Sequence, residues 1–432
     1  EAFGVGSSVT IAGRKLVFTP TNNLTALETY HVGIPAGAVT NTSGDVSLVE
    51  TNWTFQARNY NYQFWGVGYN GYGNLGVNNN TNYSSPVQLP GTSWSTIYQM
   101  LPNEGSATLA TKSDGTLWGW GRNQHGRLGQ NSLTEYSSPV QIPGTTWSAG
   151  NIGHGYRGTV LATKTDGTLW SWGGESNGQL GQNSPVNSHL SSPVQIPGTN
   201  WSQDRYGRGS GYVMSLAVKT DGTLWSWGSN SYGQLGHNQA PAQLANVSSP
   251  VQVGSDTSWV RCGGGSMVSY GIKTDGTLWV WGGTWSGSLG LNVGGPGYGA
   301  ARSSPTQIPG TNWANAFGGV NSSIGVKTDG TLWTWGTNDN GNLGLNDRTK
   351  RSSPTQIPGT NWDTENFHLG EKFAGGIKTD GTWWSWGYQY HGALGQNQGG
   401  EIIRSSPVQI PGTDWAYTTS ISNGSNAALK QI

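Results

Sequence analysis

Between Val160 and Trp172 the chain reads as two short apolar stretches broken by a polar turn. Val-Leu-Ala-Thr-Lys ends at Lys164, Thr165-Asp166-Gly167 interrupts it, and Thr-Leu-Trp-Ser-Trp follows. Trp170 and Trp172 stand two residues apart and share a face, while Leu169 points to the other, so both faces of this strand carry bulk and need cover. Asp-Gly between two such stretches predicts a β-hairpin. A two-residue loop of this composition suits a type I′ turn, with positive φ at both positions. Beyond Gly173, the glycines of Gly178-Gln179-Leu180-Gly181 allow tight turns, with Leu180 as an apolar plug. Ser191-Ser192-Pro193-Val194-Gln195-Ile196 then alternates as another strand. Its proline removes a ladder donor, which predicts an edge. Pro197-Gly198 turns the chain again before Trp201. No segment sustains a period of 3.6, so helical solenoids are excluded.

This unit recurs. Lys-x-Asp-Gly begins at Lys112, Lys164, Lys219, Lys273, Lys327 and Lys378, with a spacing of 51 to 55 residues between successive Trp-Gly tryptophans. Trp-Gly itself occurs seven times, at Trp65, Trp120, Trp172, Trp227, Trp281, Trp335 and Trp386, and so does Ser-Ser-Pro, from Pro86 to Pro407. Twenty of the 23 tryptophans fall in three repeat columns, which predicts rings of inter-blade packing. Units of three or four short strands, buried on both faces and repeated, describe propeller blades. The first repeat starts midway, at Tyr62-Gln63-Phe64-Trp65, and the last stops midway, at Ala427-Ala428-Leu429-Lys430. These halves are complementary. The expected fold is all-β: a seven-bladed β-propeller over residues 59–432, closed as a ring by both termini.

The repeats closely resemble the regulator-of-chromosome-condensation family, whose units read Asp-Gly-x-(aromatic/Leu)-x-Trp-Gly-x-Asn-x-x-Gly-Gln-Leu-Gly. Gly228-Ser229-Asn230-Ser231-Tyr232-Gly233-Gln234-Leu235-Gly236 matches that pattern. The resemblance implies a propeller across residues 60 to 432. Eukaryotic members of the family usually carry a His seven residues before the Asp, where this chain has Thr159, Met214, Val268 and Ser322. The founding member's guanine-nucleotide-exchange activity is therefore not carried over. The style of the repeats is also similar to that of bacterial or viral surface proteins and, distantly, to secreted propellers that inhibit β-lactamases.

Residues 1–58 differ. Ser8 to Pro20, Tyr30 to Thr40 and Trp53-Thr54-Phe55 alternate as strands and turns, and they look like the C-terminal part of a bacterial Ig-like domain. A full sandwich needs about 100 residues and seven strands. Half is present, so the expectation is a piece of a longer surface protein with further Ig-like domains upstream; the alternative is a half-sheet completed by another chain.

Composition narrows the function. The 22 acidic and 22 basic side chains cancel, and only 10% of residues are charged, against about 25% in ordinary globular proteins. A basic stripe for nucleic-acid phosphates is missing, and no apolar run reaches the roughly 18 residues of a membrane span. The single Cys262 excludes an intrachain disulfide and a cysteine-based zinc site, and the seven histidines show no metal-ligand spacing. The repeated Asp of each turn is explained by turn geometry. Asn338-Asp339-Asn340-Gly341-Asn342 lacks the closing Glu of a calcium loop. No nucleophile elbow, phosphate loop or carboxylate pair stands out, so the expectation is a non-enzyme without cofactor or metal.

Function is then sought where the repeat breaks. One variable link lies between Leu-Gly and Ser-Ser-Pro, longest at His237–Val247 and Leu291–Arg302. Another follows the lone Trp, compact after Trp259 and Trp313 and extended after Trp94, Trp147 and Trp201. These extended copies hold His154, Tyr156 and Arg157, then Arg205, Tyr206, Arg208 and Tyr212, and aromatics with Arg are what binding hot spots favour. Trp285 stands where other blades place mostly polar residues. The expected function is a binding scaffold of an exported or cell-surface protein, extracellular, recognising a protein or glycan through these loops. Alternatives are a structural part of a virion or surface layer, and a secreted enzyme inhibitor.

Overall fold

The computed structural model describes residues 62–431 other than 100–106, 156–157, 185–187, 203–207, 211–213, 240–245, 294–300, 390, 399 and 423–424; before residue 62 it describes only the backbones of four strands. Two units separate, Glu1–Asn61 and Tyr62–Ile432. In the first, Val9–Ala12 pairs antiparallel with Lys15–Phe18, and Thr29–Ile34 pairs with Thr51–Gln56.

The second unit consists of five four-stranded sheets and one of eight strands. The eight-stranded sheet is two blades joined by a single bridge, Tyr62 to Trp94, which makes seven blades. Blade 1 comprises Trp94–Gln99, Ala107–Lys112, Leu117–Gly121 and Tyr136–Ile142. Blades 2 to 6 repeat this order and begin at Trp147, Arg208, Trp259, Trp313 and Trp362. Blade 7 takes Trp415–Ser422 and Ser425–Gln431 from the C-terminal end and Tyr62–Gly68 and Tyr83–Gln88 from the start of the propeller. Ala428 faces Trp65 and Leu429 faces Phe64, so the two partial repeats complete one sheet. Each blade's first strand touches the first strand of the next, and blade 7 returns to blade 1. The ring is closed.

Why these residues build blades is visible in the motif. In each complete hairpin, Asp Oδ1 accepts the backbone N–H and the hydroxyl of the Thr two residues on, and that Thr Oγ1 accepts the indole N–H of the next Trp. In blade 2 these distances are 2.9, 2.7 and 2.8 Å, through Asp166, Thr168 and Trp170. The Thr hydroxyl and N–H hold the exposed Asp carboxyls below their usual range. The loop is not the two-residue type I′ turn expected from sequence. Gly167 N–H bonds to Lys164 O and Lys164 N–H to Thr168 O. Only the glycine has positive φ, at 76–79° across the six copies. This is the three-residue form, a turn followed by a left-handed glycine, and the Asp side-chain bonds are what favour it.

The second and third strands are buried, and the Ser-Ser-Pro strand is the half-exposed outer edge. Leu169, Trp172 and Leu180 have no exposure. Trp172 donates its indole N–H to Arg127 O of blade 1 at 2.9 Å, and Trp120, Trp227, Trp281, Trp335 and Trp386 each do the same to the preceding blade. The acceptor is always the residue before the Leu of Gly-x-Leu-Gly. A Cβ on the first glycine of that motif would stand within 3 Å of the next blade's Ser-Ser-Pro backbone in all seven blades, for example 2.5 Å from Ser191 Cα at Gly126. A Cβ on the second would meet the next blade's Trp indole in six of them, 2.8 Å away at Gly181. Glycine is there because two blades meet there.

Trp65 does not stand where its Trp-Gly dipeptide predicts, in the column of the second tryptophan of Leu-Trp-x-Trp-Gly. It faces Gln88, as Trp170 faces Gln195, and so occupies the first column. Val67 holds the second, and Gly68, with φ 107°, matches the column glycines at 92–106°. The dipeptide matched by coincidence, because Gly66 fills the small position held by Gly119 in blade 1.

Candidate functional site

Antiparallel strands send successive connections to alternate faces. The Asp-Gly turns and the Pro-Gly links to each lone Trp lie on one face. The links after the first strand and after the third lie on the other. The link between Leu-Gly and Ser-Ser-Pro emerges from this second face, whereas the stretch after the lone Trp, expected as a loop, is largely the first strand itself, Trp147–His154 in blade 2 and Arg208–Ser210 in blade 3, so only the chain beyond His154 and beyond Ser210 leaves from that face.

The Asp-Gly side is occupied by structure. Each repeat Lys lies over two tryptophans, as Lys164 does at 5.1 Å from the Trp147 ring and 4.2 Å from the Trp170 ring. Such stacking stabilises by about 0.5–2 kcal/mol and accounts for the Lys and lone-Trp columns without a ligand. A cleft of about 300 Å³ between blades 4 and 5 is lined by Leu291, Pro309, Trp313, Lys327, Trp333 and Pro354. Its one ionisable group, Lys327, is already held over both indoles.

On the variable face, the turn after the third strand is pinned by one side chain in blades 7, 1, 2, 3 and 5. Asn123 Oδ1 accepts Leu128 N–H at 2.9 Å, while its amide donates to Ser132 O and Thr134 O. Asn338 likewise accepts Leu343 N–H at 3.0 Å and donates to Asp347 O and Thr349 O. This is the ordinary blade turn, as expected for the segment that resembled a calcium loop. Blade 2 places Glu175 there, buried, taking the N–H groups of Asn177, Gly178 and Leu180. Burial raises its pKa against those bonds. Sequence reading passed over this Glu, although its column of amides could have exposed it.

His154 is the last residue of Trp147–His154 and faces Val160. Ser210 of blade 3 faces Ser215, and Val160 and Ser215 hold equivalent places opposite Trp172 and Trp227. His154 and Ser210 therefore correspond. Arg208 faces Ala217, nearer the middle of its blade. The first strands of blades 2 and 3 are in contact. Tyr156, Arg157, Arg205, Tyr206 and Tyr212 lie outside the described residues. Trp285 lies in blade 4's turn and is 38% exposed, unlike Trp172, Trp227 and the rest of their column. Among the described residues no group of three His, Cys, Asp or Glu could hold a metal, and no helix is long and apolar enough to cross a membrane. Cys262 is buried.

A feature missed from sequence joins non-adjacent blades. Arg261 in blade 4 and Glu365 in blade 6 form a two-pronged ion pair of 2.8 and 3.1 Å past blade 5, and Asn315 in between donates to Thr364 O at 3.3 Å. Only the closed ring brings residues so far apart in the chain together.

A closed ring of seven four-stranded blades, each keyed to the next by indole, glycine and Ser-Ser-Pro, defines a seven-bladed β-propeller of tandem repeats. The repeat model of the regulator of chromosome condensation (RCC1) family matches residues 114–151, 166–204, 221–270 and 329–363. The chain is 30% identical over 249 residues to RCC1 domain-containing protein RUG3, mitochondrial, of Arabidopsis thaliana, covering 56% of this chain and 53% of that protein. It is 25% identical to the Arabidopsis ultraviolet-B receptor UVR8, over 65% of this chain and 62% of the relative. The human E3 ubiquitin-protein ligase HERC2 is 26% identical over 69% of this chain, which spans only 6% of that protein. The fold matches yeast RCC1 (Prp20), solved with Kap60, at a TM-score of 0.71 and 18% identity, covering 87% of this chain and 90% of that one. Human WBSCR16 matches at 0.70 and 18%, over 86% and 99%.

Proposed function

We propose that this protein is a non-enzymatic binding scaffold that recognises a protein or glycan through the face bearing its variable links. The observation that carries this reading is the division of labour between faces. Residues repeated in every blade are used up in hairpins, Lys–Trp stacks and inter-blade bonds, whereas both kinds of connection that break the repeat converge on one side. The support from relatives is of the same kind: the yeast propeller was solved with Kap60 bound, and one plant relative is named a receptor. We include in the proposal an exported or surface setting, which rests on the single cysteine and the low charge of the chain.

The test is capture of a partner on protein and glycan arrays by the parent, followed by titration of Arg205→Ala, Tyr206→Ala and Trp285→Ala. Loss of more than about 1 kcal/mol of binding, roughly fivefold, with an unchanged melting temperature is expected for at least one variant. Unchanged binding in all three, or loss only on substitution of the Asp-Gly face, would refute the assignment.

A further inference from the structure

One structural column on the variable face divides the ring in two. The residue directly before Ser-Ser-Pro in each outer strand faces a positive-φ glycine of the third strand. In blades 7, 1, 2 and 3 it is Tyr83, Tyr136, Leu190 and Val247. In blades 4, 5 and 6 it is Arg302, Arg351 and Arg404. Four blades show that the fold is served by an apolar residue here, so three consecutive arginines are not a requirement of the blade. The link of blade 5 adds Arg348 and Lys350, both exposed, while the corresponding links of the other six blades contain no Lys or Arg.

The three blades are continuous at this rim. A Cβ on Gly287, two residues after Trp285, would lie 3.0 Å from Arg351 O, and one on Gly341 would lie 3.2 Å from Ile403 Cγ2. Trp285 and Ile403 are 38% and 36% exposed. The arginines are oriented by their own blades: Arg351 reaches Asp347 at 2.6 Å, and Arg404 donates to Gln398 Oε1 at 2.8 Å. Carboxylates also punctuate the arc, at Asp339, Asp347 and Glu401. A sulfated or phosphorylated polymer would have to lie across these carboxylates. A peptide alternating acidic and apolar side chains would not, since it can place its charges on the arginines and its apolar groups on Trp285 and Ile403.

We propose that the rim of blades 4 to 6 is a docking surface for an acidic, apolar-containing protein segment, read by Arg302, Arg351 and Arg404 with Trp285. This rests on the variable face being the binding face and adds the chemistry of the partner. Bidentate Arg–carboxylate pairs supply the orientation, and a half-exposed Trp beside them supplies desolvated area.

The experiment measures fluorescence anisotropy of a labelled 12-residue peptide of Glu and Asp interspersed with Leu and Phe, at 50 and 300 mM NaCl, with heparin as a second probe. The decisive variant carries Arg302→Val, Arg351→Tyr and Arg404→Leu, residue types that other blades use in this column and that therefore spare the fold. Tenfold or greater loss of peptide affinity in this variant, several-fold loss in Trp285→Ala and none in Arg205→Ala support the proposal. A parent that does not bind the peptide, a triple variant that binds as the parent does, or heparin bound more tightly than the peptide would overturn it. Should a partner still be captured through the links of blades 2 and 3, the scaffold reading stands while this one falls.

Discussion

Blade 7 and the six blades made of continuous chain perform the same packing with different residues. In blades 1 to 6 a tryptophan in the third strand reaches back to a carbonyl of the preceding blade. In blades 1, 3, 4 and 5 the residue opposite it adds a hydroxyl to the same oxygen, as Thr108 does to Asn74 O at 2.7 Å and Ser215 to Gln179 O at 2.9 Å. Blade 7 has Val67 where the tryptophan would be, and the residue opposite is Asn426, whose amide donates to Ala393 O at 2.9 Å. The seventh carbonyl is thus still satisfied. A buried backbone oxygen must find a donor, and the donor can be exchanged provided the geometry survives. The closing blade also loses one of its Lys–Trp contacts: Lys430 lies 5.7 Å from the Trp415 ring, while Trp65 Nε1 has no hydrogen-bond partner. Its hold comes instead from seven residue pairs joining Ser425–Gln431 to Tyr62–Gly68.

The strongest way to break this comparison is to remove the C-terminal half of blade 7. Deleting residues 416–432 strips two strands from one sheet and exposes Phe64, Val67 and Leu75, which are fully buried. The expected outcome is a large fall in melting temperature, or failure to refold, in a thermal melt followed by circular dichroism. A truncated protein melting with the parent would show that closure contributes nothing.

The second test sets the two packing solutions against each other. Trp227→Ala empties a fully buried site and orphans Gln179 O from its indole, and should cost about 3–5 kcal/mol. Val67→Ala, at the equivalent place, removes far less and should cost about 2 kcal/mol, because Asn426 still holds the carbonyl. Equal losses in chemical denaturation would mean that the indole is not what couples the blades.

Much of this was legible in the sequence because the repeat prints each constraint six or seven times. The hairpin, the apolar plug at Leu180, the edge strand with its proline and the ring closure all follow from local pattern. Dipeptide spelling misleads where register decides. Asp-Gly suits a two-residue turn by composition, but the Asp side-chain bonds to Thr select the three-residue loop, and Trp65-Gly66 spells the column motif although Val67-Gly68 holds the column. Contacts between blades far apart in the chain, such as Arg261 with Glu365, have no local signature. The arginine column of blades 4 to 6 could have been found, since Arg stands directly before Ser-Ser-Pro in each.

The smallest effect sharpens the comparison at the seam between blades 6 and 7. His368, in the first strand of blade 6, is buried with Thr418 Oγ1 3.4 Å from Nδ1 and the Phe373 ring 6.2 Å away. Burial pushes its pKa down to about 3, against a smaller opposite pull from Asn426. The folded protein therefore holds a neutral imidazole, and the unfolded chain takes up a proton at about pH 6.5. Stability from this residue is complete above pH 6.5 and is lost as pH falls towards 3, amounting to about 2 kcal/mol by pH 5. His237, whose pKa is also lowered by burial, adds in the same direction, and Glu175, raised by burial, opposes it. The turn carboxyls, held below 3.8, lose stability only at lower pH. Comparing the parent with His368→Gln between pH 7 and 5 isolates the seam: the parent should lose about 2 kcal/mol more than the variant. Parallel pH profiles would place the acid sensitivity elsewhere in the ring and leave blade 7 no weaker than its neighbours.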